Sequence, residues 1–381
     1  MDLMEYKARE YFEAFGIPGP KGFVVGDLAE LEGKVIDYPC MVKAQAPVGG
    51  RGKAGGIRPA GDAAELRAAC RAILGMDIKG RKVKKALITA QVRPAREWYL
   101  AIALDRAAKT PLVIFSPAGG MEIEEAARTQ PGTIVKLNLD PVFGLRSYAA
   151  TYLLSKAGID PKYAPQFRDL LGRLHRLFHE GDCLLAEINP LAVAGDGTLQ
   201  ALDAKVTVDD SALYRHPELL AFRDEVEDNP LVAEGRKAGV LFIPCDPAGT
   251  VTVISNGSGM IMSSIDVLAK NGLAVGAALD LGGGATAGRV GETVRIALSD
   301  PGAKAVFINI FGGITRCDEV AAGVGDFMDR HGTGKPVVVR FEGTNKEKGV
   351  EILNSLNRDN VVFVDGLYEG VEALAKGRGA P

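Results

Sequence analysis

Leu185–Lys205, LAEINPLAVAGDGTLQALDAK, puts a carboxylate, a carboxamide and a second carboxylate on what reads as one hairpin: Glu187, Asn189 and Asp203. Carboxylate and carboxamide oxygens are hard donors. They suit a cation such as Mg²⁺, which keeps several waters and usually shares its site with substrate phosphates. A second candidate is KAQAPVGGRGKAGG, residues 43–56, where Lys43, Arg51 and Lys53 stand among five glycines. Glycines let backbone N–H groups approach phosphate oxygens, and the cations supply charge. The spacing is not GxxxxGK[ST], so this is not the P-loop motif. A third group is a set of glycine loops, Asn256-Gly-Ser-Gly259, Gly282-Gly-Gly284 and Gly312-Gly313. Each loop, taken singly, reads equally as turn chemistry; three on one sheet edge point to a site for a carboxylate or a phosphate.

These side chains need elements to hold them. Leu184–Val193 and Leu199–Val206 read as strands around the turn Gly195-Asp196-Gly197, and alternation puts Glu187 and Asn189 on one face. A three-residue loop sets Asn189 opposite Asp203, whereas a two-residue loop shifts the register and sends Asp203 to the other face. If the acids are merely solvated, the hairpin is a polar edge strand. The basic loop follows a short strand, Cys40–Lys43, and its bland reading is a solvated surface loop.

Upstream, apolar spacing predicts a helix over residues 2–15, an acidic helical piece over Asp27–Gly33 and a helix over Ala60–Leu74. Strands are expected at Phe23–Val25, Lys84–Gln91, Glu97–Asp105 and Pro111–Ser116, a short helix at Glu122–Ala127, and helix through 145–180. Glu97, at a strand start, either bonds a ribose or is ordinary surface. His175 and His179 are four apart but have no third ligand nearby, so they read as surface residues. Asp209–Asp228 is an acidic helical stretch.

Gly235–Thr250, GRKAGVLFIPCDPAGT, reads as a boundary, giving domains of 1–235 and 236–381. Beyond it, strands Val251–Ser255, Ala274–Leu281, Ala305–Ile310, Pro336–Phe341 and Val361–Val364 alternate with helices Gly259–Asn271, Arg289–Leu298, Asp318–His331, Lys346–Leu356 and Tyr368–Lys376. Five βα units imply a parallel, doubly wound sheet of flavodoxin-like type, with ligands at the strands' carboxyl ends. A rival reading makes Gly257-Ser-Gly259 a dinucleotide fingerprint with Asp280 as the ribose acid, but Met262 fills the third glycine position.

Composition narrows the classes. The chain has 381 residues, 24% charged and 47% apolar, with a net charge of -3, which argues against nucleic-acid binding by bulk charge. Its five cysteines (40, 70, 183, 245, 317) show no CxxC spacing and read as reduced thiols of a cytoplasmic-type compartment, with no zinc site. MDLMEYKAREYFEAFG carries mixed charges and is not a signal peptide, and no stretch is apolar enough to span a membrane.

EINPL and LDAK, with VKAQAPVGGRGKAGG, EWYLAIALDR, GGGAT, NIFGGITRCDEVA and RFEGTN, in this order and spacing, resemble the β-subunit family of succinyl-CoA synthetases end to end. The resemblance implies an N-terminal ATP-grasp domain and a flavodoxin-like CoA-ligase domain. It implies nucleotide contacts from Lys43, Gly50, Arg51, Gly52 and Glu97, and Mg²⁺ on Asn189 and Asp203. Glu187 would stand beside a visiting phosphohistidine, while Asn256 and Gly313-Ile314-Thr315 would serve the organic-acid and phosphohistidine site. That histidine belongs in the family to a separate α subunit, which also holds most of the CoA site. In keeping with this, histidines 175, 179, 216 and 331 lie in no glycine-rich motif. The implied enzyme is an αβ or α2β2 heteromer of the tricarboxylic acid cycle, cytoplasmic, using ATP or GTP, succinate and CoA, with no nucleic-acid or membrane partner. Departures at Pro47 and at Thr89 near Val92 leave the nucleotide base open, and SNGSGM replaces the more usual NGAGLAM. Malate–CoA or citrate–CoA ligases share much of the pattern, and a non-catalytic nucleotide-binding subunit is the alternative of a different class.

Overall fold

A computed structural model describes residues 1–47, 50–227 and 229–376; Val48 and Gly49 of the basic loop and Asp228 of the acidic stretch lie outside the described residues. The chain forms two compact units, Met1–Leu220 and Ala221–Pro381. The division falls ahead of residue 235 because the helix Pro230–Lys237 packs on the strand Leu241–Pro244 and on the helix Ala287–Ser299 of the second unit.

The first unit contains two larger antiparallel sheets. In one, the strands run Gly22–Val25, Lys85–Ala90, Cys40–Gln45, Ile57–Ala60 in spatial order. The helix Ala63–Ile73 covers it with Leu66, Ala69, Cys70 and Ile73. This helix starts where its sequence dictates: Asp62 accepts from the N–H groups of Ala64 and Glu65, and Glu65 reaches back to Gly61 N, a reciprocal cap.

In the other sheet, Cys183–Val193 is the axis. It pairs on one side with Arg96–Asp105, which continues to Thr110–Ser116 and Val135–Asn138, and on the other with Leu199–Ala201 and Lys205–Val208. The helix Ala164–Glu180 lays Phe167, Leu170, Leu171, Leu174 and Leu177 toward the core, the 3.6-residue period of a one-sided helix.

Three local expectations change. The second hairpin strand, read as one piece over Leu199–Val206, is two, because residues 202–204 leave the ladder. The helix through 145–180 is interrupted: Ala149–Lys156 ends before Gly158, which has φ +68°, and Pro161 opens a separate turn. Asp27–Gly33 forms only a short 3₁₀ turn, Ala29–Leu31.

In the second unit, six strands stand in the order Leu241–Pro244, Val275–Asp280, Val251–Ser255, Ala305–Gly312, Val337–Gly343, Val361–Val364. The last five are parallel in doubly wound order 2-1-3-4-5, and Leu241–Pro244 adds an antiparallel edge that the sequence pattern did not reveal. Side chains alternate between two cores. Ile254, Ile308 and Val339 face the helices Ala287–Ser299, Cys317–Arg330 and Lys346–Ser355, while Val253, Phe307 and Val338 face Ser258–Lys270 and Leu367–Lys376.

The sheet's carboxyl edge is closed by backbone contact. Thr344 N donates to Gly312 O at 3.1 Å, and Gly343 has φ +94° with no room for a side chain, since a Cβ there would sit 2.1 Å from Gly312 O. Gly343→Ala is expected to destabilise the second unit by more than about 2 kcal/mol. The check is a lowered far-UV circular dichroism midpoint while the emission of Trp98, the single tryptophan, which lies in the first unit, keeps its wild-type transition. An unchanged midpoint would contradict the close approach.

Candidate functional site

The hairpin register places the acids. Glu187 pairs with Lys205 below the interruption and Leu191 with Ala201 above it, so one register runs through and sets Asn189 opposite Asp203. The turn is the three-residue form: Ala194 N donates to Thr198 O. Between these ladders the chain departs from regular pairing. The pairing with Arg96–Asp105 shifts between Ile188 and Leu191, where the Asn189–Pro190 peptide is cis, and Leu202 N donates to Pro190 O at 3.1 Å. Asn189 and Asp203 are thereby released from the ladder into a cavity of about 510 Å³.

Glu187, Asn189 and Asp203 line this cavity together with Glu5, Pro47, Gly50, Arg51, Gly52, Lys53 and Gly120. Two of the loop's cations turn inward. Arg51 Nη1 donates to Glu5 Oε2 at 2.6 Å, and its Nη2 reaches both oxygens of Asp203 at 3.0 and 3.1 Å. Lys43 is buried behind the wall, its Nζ donating to Glu5 Oε1 and to Leu202 O, both at 2.7 Å. Lys53 stays in solvent, 3.6 Å from Glu125.

Glu5 belongs to the first turn of the helix Glu5–Ala14. The backbone just before it is sewn to the hairpin, Leu3 N donating to Val206 O at 2.9 Å, which brings Glu5 into the cavity wall. Nothing in the pattern of residues 2–15 signalled this carboxylate, because its partners lie 38 and 46 positions away. Burial alone would raise its pKa, but Lys43 and Arg51 win and hold it at about 2. Asp203 moves the other way: burial and the Glu5 charge raise it, against Lys43 and Arg51.

Glu187 is placed by Tyr99, whose hydroxyl donates to Oε2 at 2.9 Å. Glu187 pairs with Ala101, so Tyr99, two residues away, shares its face. That partner was readable from the alternation of EWYLAIALD. Burial raises the pKa of Glu187, with Tyr99 and Lys205 opposing. Asn189 is fixed at both ends of its carboxamide: Gly120 N donates to Oδ1 at 2.9 Å, and Nδ2 donates to Met121 O at 2.8 Å. Glycine is required in this turn, since a Cβ at Gly119 would sit 2.2 Å from Trp98 O and Gly120 has φ +74°.

Other expected residues lie elsewhere. Glu97 is exposed at the start of its strand, beside Gly120. Thr89 is buried in Lys85–Ala90 and Val92 follows it, both outside the wall of this cavity. His175 and His179 stack with centroids 6.4 Å apart, and among the described residues no group of three His, Cys, Asp or Glu is arranged to hold a metal. The donor set nonetheless fits Mg²⁺ of the phosphate-sharing kind, which needs one or two protein oxygens and not a full cage. Asp203 and the carboxamide oxygen of Asn189, which here accept from Arg51 and Gly120 N, would be those donors.

In the second unit, the three glycine loops form one stapled edge at the switch point between Val251–Ser255 and Ala305–Gly312. Asn256 donates from Nδ2 to Phe311 O at 2.8 Å and accepts from Phe311 N at 3.1 Å. Asp280 Oδ1 accepts from Gly257 N and Gly282 N, which commits it to the loops and leaves the dinucleotide reading without its ribose acid. Thr315 is buried, accepting from Gly284 N and donating to Gly282 O. Gly313 follows Gly312 at the strand end, and Ile314 projects into solvent, 86% exposed. Below the loops a buried polar chain supports them: Asn309 Nδ2 donates to Ser264 Oγ, and Arg340 Nη1 donates to Asn309 Oδ1. Asp280 reads from the sequence only as the ribose acid of the rival dinucleotide reading, and Asn309 was missed because an amide inside an apolar strand gives no signal of its partners.

This architecture has relatives. Residues 2–193 match the ATP-grasp domain and residues 254–359 the CoA-ligase family. A protein of Herpetosiphon aurantiacus named succinate–CoA ligase [ADP-forming] subunit beta is 45% identical over 93% of this chain and 94% of its own. One of that name from Chloroflexus aggregans is 43% identical over 100% and 99%. The chain belongs to the succinate–CoA ligase β-subunit family. Its fold is also that of an ATP citrate lyase from Methanothrix soehngenii, with TM-score 0.76 at 18% identity over 100% of this chain and 99% of that one. No helix among the described residues is long and apolar enough to cross a membrane.

The Glu5 shift has a sign that can be measured. A buried carboxylate held at about 2 adds stability above its ordinary value of 4.5 and loses it as pH falls toward 2. The first unit of the wild type should exceed Glu5→Gln by on the order of 3 kcal/mol at pH 7, shrinking to nothing near pH 2. Urea unfolding followed by Trp98 emission between pH 7 and pH 2 reads this difference, and a gap that stays constant with pH would contradict the ion pairing.

Proposed function

We propose that this chain is the β subunit of an ADP-forming succinate–CoA ligase, working with a separate α subunit that carries the phosphorylated histidine and most of the CoA site. The observation that carries the reading is the gathering of Arg51, Glu187, Asn189 and Asp203 around one cavity in a chain 43% identical, end to end, to a protein of that name. The overall reaction is ATP, succinate and CoA to ADP, phosphate and succinyl-CoA. The terminal phosphoryl group passes to the partner's histidine and then to succinate, and the acyl phosphate is captured by the CoA thiol. Every step is reversible.

In this reading Arg51, with Lys43 behind it, positions the phosphates, and the amides of Gly50 and Gly52 add donors. Asn189 and Asp203 would hold Mg²⁺, which offsets charge on the terminal phosphates when bound. Glu187 meets the visiting histidine. Its raised pKa and its Tyr99 contact suit a carboxyl that orients an imidazole and can hold or release a proton at Oε1. Glu97 then contacts the nucleotide, as the resemblance implies. At the second station, Asn256 and Gly313-Ile314-Thr315 present amides at a strand-end crevice, the environment in which a carboxylate or phosphorylated side chain is stabilised. The relatives' names favour ATP over GTP and succinate over malate or citrate. The assembly is an αβ or α2β2 heteromer of the cytoplasm, serving the tricarboxylic acid cycle.

Co-expression with the cognate α subunit should yield CoA- and succinate-dependent ADP formation. Asp203→Asn should lower kcat at least about 100-fold, the scale of a lost charge-stabilising group, while the heteromer still elutes intact. An active complex indifferent to Asp203→Asn would exclude a catalytic role for this cavity. A complex inactive with succinate, malate and citrate would defeat the assignment.

A further inference from the structure

We propose that Glu5 is a positioning residue of the nucleotide site: it holds Lys43 and Arg51 as a preset pair of cations and leaves one nitrogen of Arg51 to exchange between Asp203 and a nucleotide phosphate. The inference rests on the function proposed above and adds a residue and an order of events to it.

The two carboxylates on Arg51 are not equivalent. The Glu5 side chain is 1% exposed and both its oxygens are committed, Oε1 to Lys43 and Oε2 to Arg51 Nη1. The same Nη1 donates to Ala44 O at 3.2 Å, so the inner side of the guanidinium is anchored twice. The outer nitrogen, Nη2, meets Asp203, whose side chain is 27% exposed and faces the cavity. Water can replace an Asp203 contact as it breaks, whereas losing Glu5 would strand buried charges. The inner contact is therefore fixed and the outer one exchangeable.

A phosphate is the natural competitor for that outer nitrogen. Its anionic oxygens accept from a guanidinium N–H as those of a carboxylate do, so the swap trades one anionic acceptor on Nη2 for another. The swap also frees the oxygens of Asp203 at the moment a phosphate-bound cation arrives. Lys43 links the same anchor to the hairpin, because its second partner, Leu202 O, immediately precedes Asp203. Glu5 sits in the first helical turn, where the dipole adds to the two cations in keeping it ionised. Without its charge, Asp203 would be the sole carboxylate on Arg51, and releasing it to bind a phosphate would leave the arginine without any.

The test is titration calorimetry of ADP with MgCl₂ into the full chain, followed by steady-state kinetics of the complex with its partner subunit. Glu5→Gln should weaken ADP at least about tenfold, the scale of a lost charge-assisted hydrogen bond. Glu5→Asp, charged but too short to reach both cations, should fall between Glu5→Gln and the wild type. The KM for nucleotide should rise in both variants, while the KM for succinate stays at the wild-type value. Unchanged Trp98 emission certifies the fold, and if Glu5→Gln does not fold, Glu5→Asp decides alone. Wild-type ADP affinity in a folded variant overturns the inference, as does an equal rise in both KM values, which would mark a general structural role. A wild-type chain that fails to bind ADP removes the proposed function and the inference together, an outcome distinct from variants that bind as the wild type does.

Discussion

The first unit depends on one guanidinium. Arg51 reaches back from the glycine-rich loop and is clamped between Glu5, on the N-terminal helix, and Asp203, on the hairpin. Three segments remote in sequence meet at that charge, and Lys43, inside the strand Cys40–Gln45, binds the same Glu5. A buried carboxylate is tolerable only when paired and hydrogen-bonded. Glu5 satisfies this by using both oxygens on cations, so the same contacts that fix the loop also hold Arg51 at the cavity and Lys43 behind its wall.

The second unit solves a different problem, with side chains that bond to backbone and not to cations. Its parallel strands deliver three glycine loops to one edge, and loops so rich in glycine need ordering before their amides can act together. Asn256, Asp280 and Thr315 supply it, each bonding to backbone in a loop other than its own. What they organise is a strand-end edge at the starts of the helices Ser258–Lys270, Ala287–Ser299 and Cys317–Arg330, and helix N-termini favour anions. One chain thus holds two polar sites of opposite character, one built on ion pairs and one on side chains bonded to loop backbone.

Much of this was legible in advance, for identifiable reasons. The five βα units of the second unit emerge because a doubly wound sheet buries both faces of each strand, and such runs are unmistakable between glycine loops. The hairpin register followed from Gly195–Gly197 being a three-residue turn, which carries Asn189 to Asp203 across the interruption at 202–204. Glu5 was not legible, since an acid in a first helical turn is ordinary until its tertiary partners are known. The edge strand Leu241–Pro244 was hidden by its proline and short length. Glu97 shows the reverse case: its motif is specific, yet its side chain stands at an exposed strand start, outside the wall of the cavity that gathers the others.

Arg51, held by Glu5 and Asp203, is proposed as the group that receives a nucleotide phosphate. A crystal structure of the chain with ADP and Mg²⁺ tests it most directly. The expected result is Arg51 Nη2 on a phosphate oxygen, Asp203 turned away from Arg51, and both Glu5 contacts retained. Nucleotide bound with the Arg51–Asp203 pair intact, or bound away from this cavity, would contradict it.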